Sequence, residues 1–494
     1  MIEFKNVSFS YKNQENEGIK NMNLRINDGE TVVFCGESGC GKSTTLRLIN
    51  GLIPHYYDGS LRGEILLDGK EITKKPLYEI AKKVGSVFQN PRTQFFNSET
   101  TSEIVFACEN MALPPKEIEN RLKETVQSLN LSNLLDRSLF ELSGGEKQKI
   151  ACAGADAVRP EIFVLDEPSS NLDIPTIRDL QKVLENWKAL KRTVVIAEHR
   201  LYYVVPMADK IVYMKNGRID RIFTKEEISA LSFQQLSSMG LRSLDPFSLE
   251  AEAESQNSGQ YFKIENMFFS YDKRSPNTVN IPSLQLPQGE VIGILGNNGA
   301  GKSTFARCIC GLNKKEKGML TIKNHDYPAK KRCKIAYIVM QDVNHQLFTD
   351  DVLEEVLISM NEENETAARE RADGILESLD LKHKKACHPM SLSGGEKQRV
   401  AIASAVASDK EILVFDEPSS GLDYRHMLEV AENIRSLQEK GKSILLITHD
   451  PELIYKCCTY LLFLQNGQVL WQDNMNEKSL KRMKDFFISI SFKE

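Results

Sequence analysis

Gly36-Glu37-Ser38-Gly39-Cys40-Gly41-Lys42-Ser43-Thr44 follows the apolar run Thr31 to Cys35 and leads into a stretch with helical apolar spacing. A Gly-x-x-x-x-Gly-Lys-Ser run between a strand and a helix is a phosphate loop in the setting it needs. Its glycines let backbone N–H groups curl round a phosphate, and the helix N-terminus adds its dipole. Lys42 supplies a point charge, and the Ser43 hydroxyl is placed to ligate Mg²⁺. The same run returns 260 residues later as Gly296-Asn297-Asn298-Gly299-Ala300-Gly301-Lys302-Ser303-Thr304.

Self-comparison extends the repeat. Leu142-Ser143-Gly144-Gly145-Glu146 recurs as Leu392-Ser393-Gly394-Gly395-Glu396, Asp166-Glu167-Pro168-Ser169-Ser170 as Asp416-Glu417-Pro418-Ser419-Ser420, and His199 as His449, each 250 residues later. Four elements in one order mean a duplicated domain. At 494 residues the chain has room for two such halves. The stretch from Ser248 to Gln260 is polar and aperiodic, so we place residues 1–247 in the first domain, 248–260 in a linker and 261–494 in the second domain. Within each half, strand-length apolar runs alternate with helical patterns, the sign of a parallel α/β sheet. After Pro114-Pro115, Ile118, Leu122, Val126 and Leu129 share one helical face, which predicts a helical subdomain interrupting the core.

Composition narrows the function classes. With 63 basic and 68 acidic residues the net charge is -5, so no global basic field draws the chain onto nucleic acid. The longest apolar runs, such as Ile412 to Phe415 and Ser443 to Ile447, are far shorter than the roughly 20 residues of a membrane helix. The start, Met1-Ile2-Glu3-Phe4-Lys5, lacks signal-peptide character, so the cytosol is expected. Ten scattered cysteines without Cys-x-x-Cys spacing point to neither a zinc site nor a disulfide framework.

An apolar strand ending in Asp166-Glu167 or Asp416-Glu417 completes the phosphate chemistry. The Asp can hold a hydrated metal while the adjacent Glu polarises the attacking water. His199 and His449, at the ends of later strands, can reach a γ-phosphate and orient water. Ser143-Gly144-Gly145 and Ser393-Gly394-Gly395 offer a hydroxyl and unhindered N–H groups before a helix, which reads as a second anion site or as a plain helix cap.

This series of motifs resembles the ATP-binding-cassette family over nearly the whole chain. The resemblance implies two P-loop NTPase domains of α/β class, each with an α/β core, an antiparallel β subdomain and a helical signature subdomain, and an ATPase using ATP and Mg²⁺. It also implies head-to-tail sites, one joining Lys42, Asp166, Glu167 and His199 to Ser393, the other joining Lys302, Asp416, Glu417 and His449 to Ser143. Gln89 and Gln341 match the family's metal-contacting glutamine. Tyr11 and Tyr271 resemble its adenine-stacking aromatic, with strand packing as the alternative. Cys40 is a small residue where the backbone must approach closely, and its oxidation is a conceivable block to nucleotide.

Gln89-Asn90-Pro91-Arg92-Thr93-Gln94 resembles the Gln-Asn-Pro-x-x-Gln segment of energy-coupling-factor and cobalt-type importer ATPases, and Glu198-His199-Arg200 resembles their Arg form. The second half reads Gln341-Asp342-Val343-Asn344-His345-Gln346 and lacks the proline. The resemblance implies an importer ATPase held on the inner face of the plasma membrane by integral membrane subunits, a transmembrane coupling protein and a substrate-binding component, with no nucleic-acid partner. Two intact phosphate loops set the chain apart from tandem sugar-importer ATPases, and a short linker sets it apart from cassettes that act on the ribosome. Pro91 is expected to make the first docking loop stiffer than the second.

Overall fold

The computed structural model describes residues 1–12, 14–170, 172–255, 259–271 and 278–489. They form two compact units, Met1–Pro246 with Gly421–Arg425, and Phe247–Ser420 with His426–Glu494.

The first half contains β1 (Ile2–Tyr11), β2 (Gln14–Ile26), β3 (Thr31–Cys35), β4 (Gly59–Leu67), β5 (Lys70–Glu71), β6 (Val84–Val87), β7 (Ile162–Asp166), β8 (Thr193–Ala197), β9 (Lys210–Lys215) and β10 (Arg218–Phe223). A six-stranded sheet runs β10-β9-β3-β8-β7-β6, parallel except for the β10 edge, and a four-stranded antiparallel sheet runs β2-β1-β4-β5. Strand β3, Thr-Val-Val-Phe-Cys, is buried at every position, as a central parallel strand covered on both faces must be. Successive side chains alternate faces. Val32 and Phe34 accordingly join Phe4, Phe9 and Ile65 of the antiparallel sheet in one core, while Val33 and Cys35 join Trp187, Leu184 and Ile150 in the other. Trp187 stacks on Phe163 with ring centroids 3.7 Å apart, and its indole N–H donates to Asp156 Oδ1 at 2.8 Å.

The helical subdomain follows the expected face. Pro115 opens the helix Pro115–Ser128, where its missing N–H costs nothing. Val126 and the following Leu129 are buried, with Ile118 and Leu122 packed partly against the same core.

The second half repeats this plan with β11 (Tyr261–Phe269), β12 (Val279–Pro287), β13 (Val291–Leu295), β14 (Met319–Ile322), β15 (His325–Pro328), β16 (Ala336–Val339), β17 (Ile412–Asp416), β18 (Ser443–Ile447), β19 (Tyr460–Gln465) and β20 (Gln468–Asn474). Its sheets run β16-β17-β18-β13-β19-β20 and β12-β11-β14-β15. The polar stretch read as a linker is fastened to this half. Glu252 N donates to Tyr455 O at 2.9 Å, and Ser255 Oγ donates to Glu290 Oε1 at 2.7 Å. Residues 256–258 of that stretch lie outside the described residues. Among the described residues no helix is long and apolar enough to cross a membrane.

Candidate functional site

In an open parallel sheet, ligands gather at the carboxyl ends of the strands. In the first half four neighbouring strands deliver the expected residues there: the phosphate loop after β3, His199 after β8, Asp166 and Glu167 at the end of β7, and Gln89 after β6. The second half does the same with β13, β18, β17 and β16, bringing Lys302, His449, Asp416 with Glu417, and Gln341 to one edge.

The loop geometry requires its glycines. Gly36 has φ 141°, and a Cβ on it would lie 2.3 Å from Met214 O. Its counterpart Gly296, at φ 148°, would meet Leu464 O at the same 2.3 Å. Gly41 and Gly301 hold φ 103° and 95° as the residues that start the helices Lys42–Ile49 and Lys302–Ile309. Lys42 Nζ curls back to donate to Gly36 O (2.9 Å) and Glu37 O (3.1 Å), and Lys302 Nζ does so to Gly296 O (2.7 Å) and Asn297 O (3.0 Å). A cationic donor is thus held inside the loop. Cys40 is buried, and burial, only partly offset by Lys42, pushes its thiol above the usual range. The protonated form is therefore favoured, which weakens the idea of oxidation at this loop.

Ser43 Oγ donates to Asp166 Oδ1 at 2.9 Å, and Ser303 bonds Asp416 likewise. Burial and the adjacent Glu167 raise the Asp166 carboxyl to about 6, against the pull of Ser43, Arg47 and Lys42. Burial also raises Asp416. Each Asp is a carboxylate short of positive charge beside a serine hydroxyl, a donor set suited to a hard divalent cation.

Glu167 and Glu417 stand one residue beyond their strands at φ 45° and 53°, a left-handed conformation that non-glycine residues seldom adopt. Glu167 N donates to Ala197 O and Glu417 N to Ile447 O, both at 2.9 Å, so the strain is held by the sheet. Gln89 Nε2 donates to Glu167 Oε2 at 2.8 Å, and His199 Nε2 lies 3.2 Å from Glu167 Oε1. Burial works against the Glu167 anion, but His199 and Lys42 outweigh it and hold the carboxyl below its usual value. In the second half His449 Nε2 lies 3.7 Å from Glu417 Oε1, His449 N donates to Glu417 Oε2 at 3.2 Å, and Gln341 is exposed.

Ser143 and Ser393 cap the helices Gly144–Ala157 and Gly394–Ala407 through reciprocal bonds with Glu146 and Glu396. Both serines and the following Gly144 and Gly394 remain exposed, so a capped helix start and an open anion site coexist. Gly145 packs under Thr176, whose Cγ2 a Cβ would meet at 2.5 Å. Tyr11 shares a hydrogen bond with Thr44 (3.1 Å), receives Arg47 Nη1 (2.9 Å), and lies edge-on to Phe9 and Tyr57. Tyr271 is 60% exposed and meets Thr304 at 3.3 Å. Ser38, Gly39, Asn298, Gly299 and Ala300 complete the two loops; a Cβ on Gly39 or Gly299 would meet nothing within 4 Å.

The glutamine loops depart from expectation. Asn90 is extended before Pro91, and its side chain accepts from Arg92 N at 3.0 Å, capping the turn Pro91–Thr93. Asp342 does the same for Asn344 N at 3.1 Å and caps Val343–His345. Both loops are thus restrained by the same side-chain cap, and the first carries Pro91 in addition. Gln94 is turned inward: its Oε1 accepts from Phe88 N (3.2 Å) and its Nε2 donates to Ser86 O (3.1 Å). Gln346 accepts from Met340 N at 3.1 Å. Phe96 and Phe348 are the groups presented outward, 78% and 74% exposed. Buried Glu103 accepts Phe96 N (3.1 Å) and Asn97 N (2.8 Å), and buried Glu355 accepts Phe348 N (2.9 Å) and Thr349 N (3.0 Å). Both pairs stand 252 residues apart, as Gln89 and Gln341 do, and that shared offset is the signal in the sequence that would have found them.

The family model described as ABC transporter matches residues 19–170 and 279–420, taking in both phosphate loops and both signature helices. The chain belongs to the ABC transporter family. A putative ABC transporter ATP-binding protein of Treponema denticola is 41% identical over 95% of this chain and 96% of its own length, and one of Methanosarcina mazei is 31% identical over 95% and 88%. Among solved structures, a model of ribosome-bound archaeal Pelota and ABCE1 matches with TM-score 0.67 over 98% of this chain and 80% of that one, at 20% identity, a likeness of fold. As a family member with two ABC cassettes, the protein binds and hydrolyses ATP.

Proposed function

We propose that this chain is the ATP-hydrolysing subunit of an importer of energy-coupling-factor type, coupling hydrolysis at two composite sites to uptake of a vitamin or metal cation through separate membrane subunits. The observation that carries the reading is that both halves keep a complete set: Lys42 and Lys302 inside their loops, Ser43–Asp166 and Ser303–Asp416 bonded, and Glu167 and Glu417 each beside a histidine. Magnesium, held through Ser43, Asp166 and Gln89 or Ser303, Asp416 and Gln341, would supply charge neutralisation on the β and γ oxygens. Glu167 and Glu417 take the role of polarising water, with His199 and His449 orienting it. Each site takes its signature from another cassette, of the same chain or a second copy, with Ser143 serving Lys302 and Ser393 serving Lys42.

Membrane attachment is through partners. In the first half an apolar groove lined by Leu52, Leu77, Tyr78, Phe96, Phe106 and Met111 adjoins the Gln89 loop. Phe96 stacks on Phe106 at 5.0 Å, and the backbone beside it is gripped by Glu103. A short apolar helix of a membrane subunit seated there would push on the segment that ends at Gln89 and so on Glu167, which is how docking and hydrolysis would be linked. The Gln-Asn-Pro-x-x-Gln spacing supports the importer subgroup. Placing Arg at Ser143 tests the composite arrangement: nucleotide trapping should fall at the Lys302 site more than at the Lys42 site. Loss confined to Lys42 would overturn the head-to-tail assignment.

A further inference from the structure

We propose that the second cassette carries a face that binds anionic phospholipid headgroups, built from Lys314, Lys315, Lys317, Lys330, Lys331 and Lys334. Residues 312–335 hold eight basic and two acidic side chains in a chain whose net charge is -5. All six lysines are exposed, and among the described residues none of them lies in an ion pair.

The segments are fastened together from below. Arg332 and Glu316, both 0% exposed, pair at 2.6 Å, and Arg332 also donates to Cys308 O at 2.7 Å and Tyr327 O at 3.1 Å. Glu316, the one carboxylate between Lys314 and Lys317, is thereby withdrawn from the surface. In a 3₁₀ turn residues three apart eclipse. Ala329, Arg332 and Ile335 point inward, which leaves Lys330 with Cys333, and Lys331 with Lys334, outward. Leu312, 47% exposed, adds an apolar contact at the edge. The corresponding stretch of the first half is partly compensated: Lys74 pairs with Glu71, Lys83 with Asp68 and Glu161, and Lys82 lies over the Tyr78 ring. The denser run of unpaired lysines lies in the second half.

The choice of a lipid surface rests on the proposed membrane docking. The first-half segment leading into β6, as Ala329–Lys334 leads into β16, rims the apolar groove through Leu77, Tyr78 and Lys82. If the second half docks to a membrane subunit by its own equivalent end, these lysines lie next to the bilayer surface, where they meet acidic headgroups. Nucleic acid is a poorer match, because Tyr327 is half-buried and offers no exposed platform for bases.

The test uses the full chain with sucrose-loaded vesicles of phosphatidylcholine alone or with added phosphatidylglycerol. Wild type should sediment only with the phosphatidylglycerol vesicles, and less as salt rises. Replacing Lys314, Lys331 and Lys334 together by Gln should lower partitioning about a hundredfold, at roughly fivefold per lysine, with ATPase activity unchanged. Replacing Lys74 and Lys83 by Gln should change it little. Cys333, the exposed member of the ten cysteines, gives a second readout: an environment-sensitive fluorophore there should shift on phosphatidylglycerol vesicles. No sedimentation of wild type with those vesicles, or equal sedimentation of wild type and the triple variant, would overturn the proposal, including when the lysines prove to bind an acidic segment of a protein. Co-purification with a membrane subunit is measured separately. A chain that co-purifies but ignores lipid loses the lipid face alone, and one that binds lipid but never co-purifies loses the importer reading.

Discussion

Glu198 precedes the first histidine, where the second half has Thr448, and replacing it by Gln should unsettle the site without touching nucleotide. Its side chain is 1% exposed and accepts four hydrogen bonds: Ser169 N (3.2 Å) and the Tyr203 hydroxyl (2.6 Å) at Oε1, His199 N (2.7 Å) and Arg200 N (3.2 Å) at Oε2. A glutamine keeps the shape but must turn an NH₂ toward one of these pairs. Turned toward His199 and Arg200 it faces two backbone donors that cannot rotate away. Turned the other way it faces Ser169 N and a hydroxyl that can reverse. Leaving one or two buried N–H groups unpaired costs about 1–3 kcal/mol each, so we expect about 3 kcal/mol in all. At about 2–4 °C per kcal/mol for a domain of this size, the first unfolding transition should fall by about 6–12 °C. ATPase activity should drop about tenfold, because the displaced backbone carries His199. Tyr203→Phe, which removes one neutral donor, should cost only about 1 kcal/mol. Asp450→Asn in the second half keeps an acceptor for Glu452 N and should also be mild. Calorimetry with steady-state ATPase assays checks this. An unchanged transition and full activity in Glu198→Gln would refute the reasoning.

Gly36→Ala should abolish nucleotide binding, since its Cβ would collide with Met214 O at 2.3 Å, whereas Gly39→Ala meets open space and should cost only the strain of φ 76°, about 1 kcal/mol, both read by ATP titration. Gln94→Ala and Gln346→Ala should speed hydrogen exchange at Phe88 and Met340, whose amides lose their acceptors, while ATP affinity holds. Burial raises Glu146, but the Ser143 backbone and hydroxyl and Arg137 outweigh it and hold its carboxyl below the ordinary glutamate value of 4.5. A depressed folded-state value gives stability that is present above pH 4.5 and lost as pH falls through the lowered value, and Glu146→Gln should flatten that acid-side slope in a pH series of thermal melts.

Much of the site was legible because its residues are local and repeated. A strand, a glycine loop and a helix start read directly from Gly36 to Ser43, and Asp166-Glu167 gained meaning only because the loop preceded it. Relations between distant segments were not legible. Glu198-His199-Arg200 and Thr448-His449-Asp450 differ on both sides of the histidine, yet both halves hold the Ser-Ser loop by a carboxylate: Glu198 accepts Ser169 N, and Asp450 accepts Ser419 Oγ at 2.8 Å. The acidic group has moved across the histidine while its task is kept. Pro91 marked the first loop as stiff, but the cap that Asn90 or Asp342 places on the amide two residues along, which restrains both loops, was not read from the sequence. The left-handed φ of Glu167 left no trace in residue type, because Glu is an ordinary residue at an unusual conformation imposed by Ala197 O.

The most direct test of two ATP-hydrolysing cassettes is turnover by the double variant Glu167→Gln, Glu417→Gln, measured beside ATP binding. Both carboxylates lie at the strand ends next to His199 and His449, while the phosphate-loop lysines and the Ser–Asp pairs remain intact. ATP should bind with wild-type affinity and turnover should be nearly abolished. Undiminished hydrolysis would remove both residues from the catalytic role.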